Sequence, residues 1–126
     1  MFTEVNAFSG FSVDDIPAAH EFYGEVLGLD VTEENGMLHL HLATGAEILV
    51  YPKSGHTPAS FTILNFPVAD VGSAADRLRT AGVEFLSYDG MGIEPDEHGV
   101  YRASVGPDIA WFTDPAGNVL SILQEK

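Results

Sequence analysis

Cysteine is absent from the 126-residue sequence, which excludes disulfides, thiolate metal sites and a cysteine nucleophile. Lysine and arginine are scarce, since 5 of them stand against 19 aspartates and glutamates and leave a formal net charge of −14 at pH 7. A field of this sign repels phosphate backbones and anionic lipid, so we expect neither nucleic acid nor a membrane as a partner. Whether the charge serves solubility alone or also draws a cationic ligand stays open.

Long apolar runs are also missing. No stretch approaches the roughly 20 residues that cross a bilayer, and the start lacks the basic and apolar regions of a signal peptide, so we expect a cytoplasmic protein. What is present is a globular composition, with 45% hydrophobic and 19% charged residues. This length suits a single domain over residues 1–126.

An internal repeat organises the chain. Residues 11–16 and 66–71 share the pattern F-x-V-x-D-(I/V), and each is followed by apolar residues at helical spacing and by a glycine, Gly28 or Gly82. The aspartates are placed to cap helices, residues 9–13 before the first of them alternate like a strand, and the sequences after the glycines are typical of strands joined by turns. We therefore predict two βαβββ modules, at about 4–52 and 60–125.

The predicted strands after each helix are bounded by turn residues. They cover 29–33, 37–43 and 47–51 in the first module, and 83–88, 101–105, 109–113 and 119–124 in the second, whose opening strand is 61–68. Between them, residues 89–99 form an acidic loop, predicted to be a lid or a mobile excursion.

Two segments carry a family resemblance. V-D-D-I-P-A-A-H-E-F-Y-G-E-V-L-G-L-D-V at 13–31 and D-P-A-G-N-V-L-S-I-L-Q at 114–124 resemble the vicinal oxygen chelate superfamily of glyoxalases, bleomycin-resistance proteins, fosfomycin-modifying enzymes and extradiol dioxygenases. The resemblance implies an α+β fold in which two βαβββ modules form a cup-shaped mixed sheet with the helices outside. It also implies a homodimer.

Enzymes of that superfamily hold a divalent metal in the cup. Carried over to this chain, the ligand positions fall on Phe8, Ile63, Ser121 and either Ile48 or Val50. These side chains are poor metal ligands, so we expect no metal cofactor and instead an apolar cup, to which Trp111 contributes, for a small organic ligand. This resembles the bleomycin-resistance branch, which sequesters a drug without chemistry.

Polar residues suggest an alternative. In residues 38–42, Leu-His-Leu-His-Leu, strict alternation places His39 and His41 on one strand face and the leucines on the other. With Glu47 or another side chain, this pair would suit a metal-dependent lyase, isomerase or dioxygenase with a divalent metal. The simpler interpretation is two polar residues on the non-core face of a hairpin.

Three further residues complete the candidate site. Asn65 and Ser121 are expected to point into the cup and either orient a ligand or satisfy one another, and Tyr101 is expected at the rim. No nucleophile elbow, phosphate loop or Ser/His/Asp order is apparent. A third hypothesis, a regulatory or interaction domain, predicts a cup filled by side chains. The predicted ligand-binding residues are Phe8, His39, His41, Ile48, Val50, Ile63, Asn65, Tyr101, Trp111 and Ser121.

Overall fold

The structure, a computed structural model, describes all 126 residues and divides into two compact units, Met1–Thr57 and Pro58–Lys126. Each unit contains one α-helix and one mixed β-sheet. The predicted α+β, two-module fold class is therefore confirmed. None of the helices has the length and apolar character needed to span a bilayer.

Unit 1 contains a four-stranded sheet. Its elements are a 3-10 turn at Phe2–Glu4, β1 (Ser9–Val13), α1 (Ile16–Glu21), β2 (Asp30–Glu34), β3 (Met37–His41) and β4 (Glu47–Pro52). The strand order is β1-β4-β3-β2, with β1 parallel to β4 and the other pairs antiparallel. This is the predicted βαβββ order, with strand ends moved by a residue or two.

The helix of unit 1 begins and ends where the sequence predicts. The Asp15 carboxylate accepts the N–H of Ala18 at 3.0 Å, which satisfies one of the free donors of the first turn. After Glu21 the helix continues as a π-helical segment, Phe22–Val26, and the chain then leaves through Gly28 at φ 72°. This segment buries Phe22 and Tyr23.

Unit 2 contains a three-stranded sheet. Its elements are β5 (Thr62–Pro67), α2 (Val71–Thr80), β6 (Asp108–Thr113) and β7 (Val119–Gln124), in the order β5-β7-β6. The Asp70 carboxylate caps α2 by accepting the N–H of Ser73 at 3.1 Å, as Asp15 caps α1. The Val71 N–H donates to Gln124 Oε1 at 2.9 Å, so α2 begins on the sheet face that carries Gln124.

The predicted strands at 83–88 and 101–105 are wrong. Each contributes only one isolated bridge, Phe85 with Phe112 and Tyr101 with Ile109. The Leu86 N–H donates to the Trp111 carbonyl and the Tyr101 N–H to the Ile109 carbonyl, both at 2.8 Å, but the Tyr88 N–H donates to the Tyr101 hydroxyl at 2.7 Å. The Tyr88 N–H is therefore not available to a ladder, the backbone contacts of these segments remain isolated bridges, and the second sheet has three strands.

Candidate functional site

The sheet of unit 2 presents a row of three predicted site residues. The register places Asn65 opposite Ser121 on one side and Trp111 opposite Ser121 on the other. Directly paired residues of a sheet share a face, so these three side chains lie together. The residues of β6 and β7 that point to the opposite face, the one that carries Gln124 and faces α2, form the buried core. They are Ala110, Phe112, Leu120 and Ile122.

Ser121 and Asn65 hydrogen-bond to each other. The fully buried Ser121 Oγ donates to Asn65 Oδ1 at 2.5 Å, while Asn65 itself is exposed. This contact is the mutual pairing that the sequence left open. Because the bond uses the amide oxygen, the Asn65 amide nitrogen is still available as a donor to a ligand.

Trp111 is held in a cluster of aromatic rings. Tyr88 meets it edge-on at 5.1 Å between ring centroids and Tyr101 at 5.5 Å, separations typical of favourable aromatic pairs. The indole N–H donates to Thr62 Oγ1 at 3.1 Å, so the ring is fixed at both ends. We call Tyr88, Tyr101 and Trp111 the aromatic cluster, and Thr62, Asn65, Trp111 and Ser121 the aromatic face.

Tyr101 is not at a rim. It is 1% exposed, its hydroxyl accepts the Tyr88 N–H, and its ring packs against Trp111. Burial, and secondarily the neighbouring Tyr101, raise the pKa of the Tyr88 phenol, which therefore stays neutral at physiological pH. Sequence reasoning missed Tyr88, because nothing in its neighbourhood marks it as the partner of a distant tryptophan.

Ile63 is displaced by a β-bulge. The register between β5 and β7 shifts between Thr62 and Leu64, so Thr62 pairs with Val119 and Ile63 has no partner of its own. The strict alternation that predicted Ile63 and Asn65 on one face is broken at this point. Thr62, which the sequence did not single out, instead contacts Trp111.

In unit 1 the predicted site residues fall on two different faces. Leu38 pairs with Val50 and Leu40 with Ile48, so Ile48 and Val50 lie on the leucine face. Ile48 and Val50 therefore do not share a surface with His39 and His41, although all four are among the predicted ligand-binding residues. His41 pairs with Glu47 across the turn between β3 and β4. The odd-numbered residues of β4 therefore lie on the same face of the sheet as the histidines. Phe8 lies ahead of β1 and is 69% exposed.

The two histidines share one carboxylate. Glu47 Oε1 lies 3.1 Å from His41 Nδ1, and Glu47 Oε2 lies 3.7 Å from His39 Nδ1. His41 Nε2 lies 2.9 Å from Thr32 Oγ1. We call Thr32, His39, His41 and Glu47 the histidine face. The chain contains no group of three or more His, Asp or Glu side chains arranged to hold a metal ion.

Hydrogen bonds of Asp96 and His98 fix the end of the acidic loop. The Asp96 carboxylate accepts the N–H groups of His98 and Val100, both at 2.9 Å, and Arg102 Nε at 2.8 Å. Burial alone would raise the pKa of Asp96, but these hydrogen bonds outweigh it and the pKa is lowered. His98 Nδ1 meets Asp76 Oδ1 at 2.8 Å, and this bond raises the pKa of His98.

An open groove of about 540 Å³ lies along α2 beside this network. Its lining is charged and polar, and it does not include the aromatic face. A groove of this character differs from the mostly apolar pockets that hold organic ligands. Its lining includes Asp70, Ser73, Asp76, Arg77, His98 and Arg102.

Comparison with known proteins defines the class. Residues 6–122 match the family described as Glyoxalase/Bleomycin resistance protein/Dioxygenase superfamily. The chain belongs to this family, and the resemblance found in the sequence is confirmed. No curated protein matches the sequence.

Solved structures of low sequence identity share the fold. TnmS3, an antibiotic binding protein from Streptomyces sp. CB03234, is 23% identical with a TM-score of 0.68, and 98% of each chain is covered. The fosfomycin resistance protein FosX from Listeria monocytogenes is 11% identical with a TM-score of 0.73, over 98% of this chain and 94% of that one. A superfamily member from Sphaerobacter thermophilus is 18% identical with a TM-score of 0.71, over 96% and 98%.

Proposed function

We propose that this protein binds a small organic molecule on its aromatic face and does so without a metal. The observation that carries the proposal is the row of Asn65, Ser121 and Trp111, in which an aromatic ring, an amide donor and a buried hydroxyl lie side by side. Binding sites for organic ligands combine apolar and aromatic surface with a few fixed polar groups. Trp111 supplies the surface, and Asn65 supplies the polar group.

The side chains at the family's metal positions support binding without a metal. Phe8, Ile63 and the aliphatic residues of β4 offer neither oxygen nor nitrogen donors, and Ser121 already donates its proton to Asn65. These residues do not fit a divalent ion. The alternative, a metal enzyme centred on His39 and His41, has Glu47 beside both imidazoles but no arranged group of three ligands.

The expected ligand is aromatic or otherwise flat, and neutral or cationic. The partly exposed indole ring of Trp111, packed edge-on by Tyr88 and at a tilt by Tyr101, offers a π surface that attracts aromatic rings and cations. The net charge of −14 disfavours anions. Two structural neighbours are an antibiotic binding protein and a fosfomycin resistance protein, which is consistent with a role in sequestering a drug-like compound.

We also propose that the protein is a homodimer, as the family resemblance implies, and that it is cytoplasmic. The exposed phenyl and aliphatic side chains of Phe2, Val5 and Phe8 at the start of unit 1 are consistent with a contact to a second chain. Sedimentation velocity tests the first proposal and cell fractionation the second.

Ligand-observed NMR with a library of neutral and cationic aromatic fragments tests the binding proposal. We expect some fragments to bind and to compete with one another. Trp111→Ala should weaken their affinity at least tenfold, because the stacking surface is lost. Val105→Ala, at a residue that is 85% exposed and outside the aromatic face, is the matched control and should change nothing. The proposal is wrong if no fragment binds, or if the fragments that bind are indifferent to Trp111→Ala.

A further inference from the structure

Unit 1 contains a serine and a histidine in direct contact. Ser12 Oγ lies 2.7 Å from His56 Nδ1, and the two residues are 44 positions apart in the chain. Both are partly buried, so a small reagent can reach them. Through its pairing with Tyr51, Ser12 lies on the same sheet face as the histidines, but neither Ser12 nor His56 is one of the residues of the aromatic face or of the Thr32–His39–His41–Glu47 group.

Backbone hydrogen bonds fix this contact. The Lys53 N–H donates to the Val13 carbonyl at 3.0 Å, and the His56 N–H donates to the Lys53 carbonyl at 3.1 Å. These bonds fold the turn after β4 across the end of β1, and Gly55 at φ 74° permits the turn. The His56 ring is thereby placed over the strand position that Ser12 occupies.

The surroundings of Ser12 supply a further polar group. Ser12 pairs with Tyr51 across the parallel strands β1 and β4, so the two side chains share a face. Tyr51 is 37% exposed and carries a phenolic O–H, which is a hydrogen-bond donor. A hydroxyl, an imidazole and a second donor therefore lie within one small region of unit 1.

We propose that Ser12 is a nucleophile activated by His56, and that this site takes acyl groups from small activated esters. A serine hydroxyl is a weak nucleophile on its own and becomes effective when a base within hydrogen-bond reach accepts its proton. The contact between Ser12 and His56 meets that requirement. The activity goes beyond ligand binding at the aromatic face, and neither proposal depends on the other.

The reaction is a two-step acyl transfer. Ser12 Oγ bonds to the ester carbonyl carbon while its proton passes to His56, and the carbonyl oxygen takes up negative charge that the Tyr51 hydroxyl can stabilise. The bond from that carbon to the alcohol oxygen then breaks, and the alcohol leaves with the electron pair and the proton from His56. Water, deprotonated by His56, next attacks the acyl-serine, which releases the carboxylic acid and restores Ser12.

A fluorophosphonate reagent tests the nucleophile directly on the full chain. Ser12 Oγ would form a bond to phosphorus, fluoride would leave with the electron pair, and His56 would take the proton. Intact-mass measurement should show one adduct, and peptide mapping should place it on Ser12. Because a general base contributes about 10²–10⁴-fold, His56→Gln should slow labelling by about 100-fold.

Matched variants separate a reactive serine from a reactive surface. Ser9→Ala changes a serine of the same strand that pairs with Ile48 on the opposite face, and it should label like the unmodified protein. Ser12→Ala should not label. The proposal is overturned by no adduct under conditions that fully label a serine esterase, by an adduct mapped elsewhere, or by a His56→Gln rate within about threefold of the original. Mapping on the unmodified protein decides the question even if a variant fails to fold.

Discussion

The turn between β6 and β7 depends on one buried carboxylate, that of Asp114. Removing this carboxylate should strongly lower the free energy of unfolding. Asp114 is 3% exposed; its Oδ1 accepts the N–H groups of Ala116 and Asn118 at 2.9 Å, and its Oδ2 accepts Asn118 Nδ2 at 3.0 Å. This turn brings Trp111 and Ser121 opposite each other. Asp114→Ala would leave all three donors without these acceptors.

The expected loss follows from the burial of those donors. A hydrogen bond to a charged group contributes about 1.5–3 kcal/mol, and a buried donor left unpaired costs about 1–3 kcal/mol. Three such bonds do not add fully, because water can reach the half-buried Ala116 N–H, so we expect Asp114→Ala to lower the free energy of unfolding by about 3–5 kcal/mol. Asp114→Asn keeps one acceptor oxygen and should cost about 1–2 kcal/mol.

Urea unfolding followed by the fluorescence of Trp111, the single tryptophan, measures both variants. At this chain length 1 kcal/mol corresponds to about 3–5 °C in Tm, so Asp114→Ala should melt about 10–20 °C lower. The reasoning is refuted if Asp114→Ala lies within 1 kcal/mol of the original protein, or if Asp114→Asn is equally damaging.

Two further predictions concern the acidic loop and the glycines. The contact with Asp76 raises the pKa of His98 above its ordinary 6.5, so its stabilisation is complete below that value and is lost as pH rises through the raised pKa. The Tm advantage of the original protein over Asp76→Asn should therefore be larger at pH 5.5 than at pH 8.5; an equal advantage at both would contradict the assignment. Gly117→Ala should lower the free energy of unfolding by about 1–2 kcal/mol because of the φ of 87° at this position. The loss should be larger still because the new Cβ would lie 3.1 Å from Pro58 Cγ. Gly28→Ala, at φ 72° in open space, is the control, and chemical denaturation should show the smaller loss there.

Much of the fold could be predicted from short sequence patterns. The capping aspartates, Asp15 and Asp70, and the glycine after the first helix have backbone consequences that depend only on near neighbours. The alternation of residues 38–42 likewise placed the leucines and the histidines on opposite faces correctly. These features could be predicted because a helix end or a strand face is decided within a few residues.

Contacts between residues distant in sequence could not be predicted in the same way. The face occupied by Ile48 and Val50 depends on the register with β3, and a shift of one residue exchanges the two faces. The bulge at Ile63 and the burial of Tyr101 against Trp111 depend on neighbouring strands that no short pattern specifies. The contact between Ser12 and His56 is of the same kind, because it exists only once β1 and β4 pair.

Native mass spectrometry of the protein, purified without added metal and then mixed with a competing set of aromatic fragments, tests the central claim most directly. Binding at the aromatic face without a metal predicts a metal-free mass and a fragment adduct that Trp111→Ala removes. A stoichiometric divalent ion that is lost when His39 or His41 is replaced, with no fragment adduct, would contradict the account.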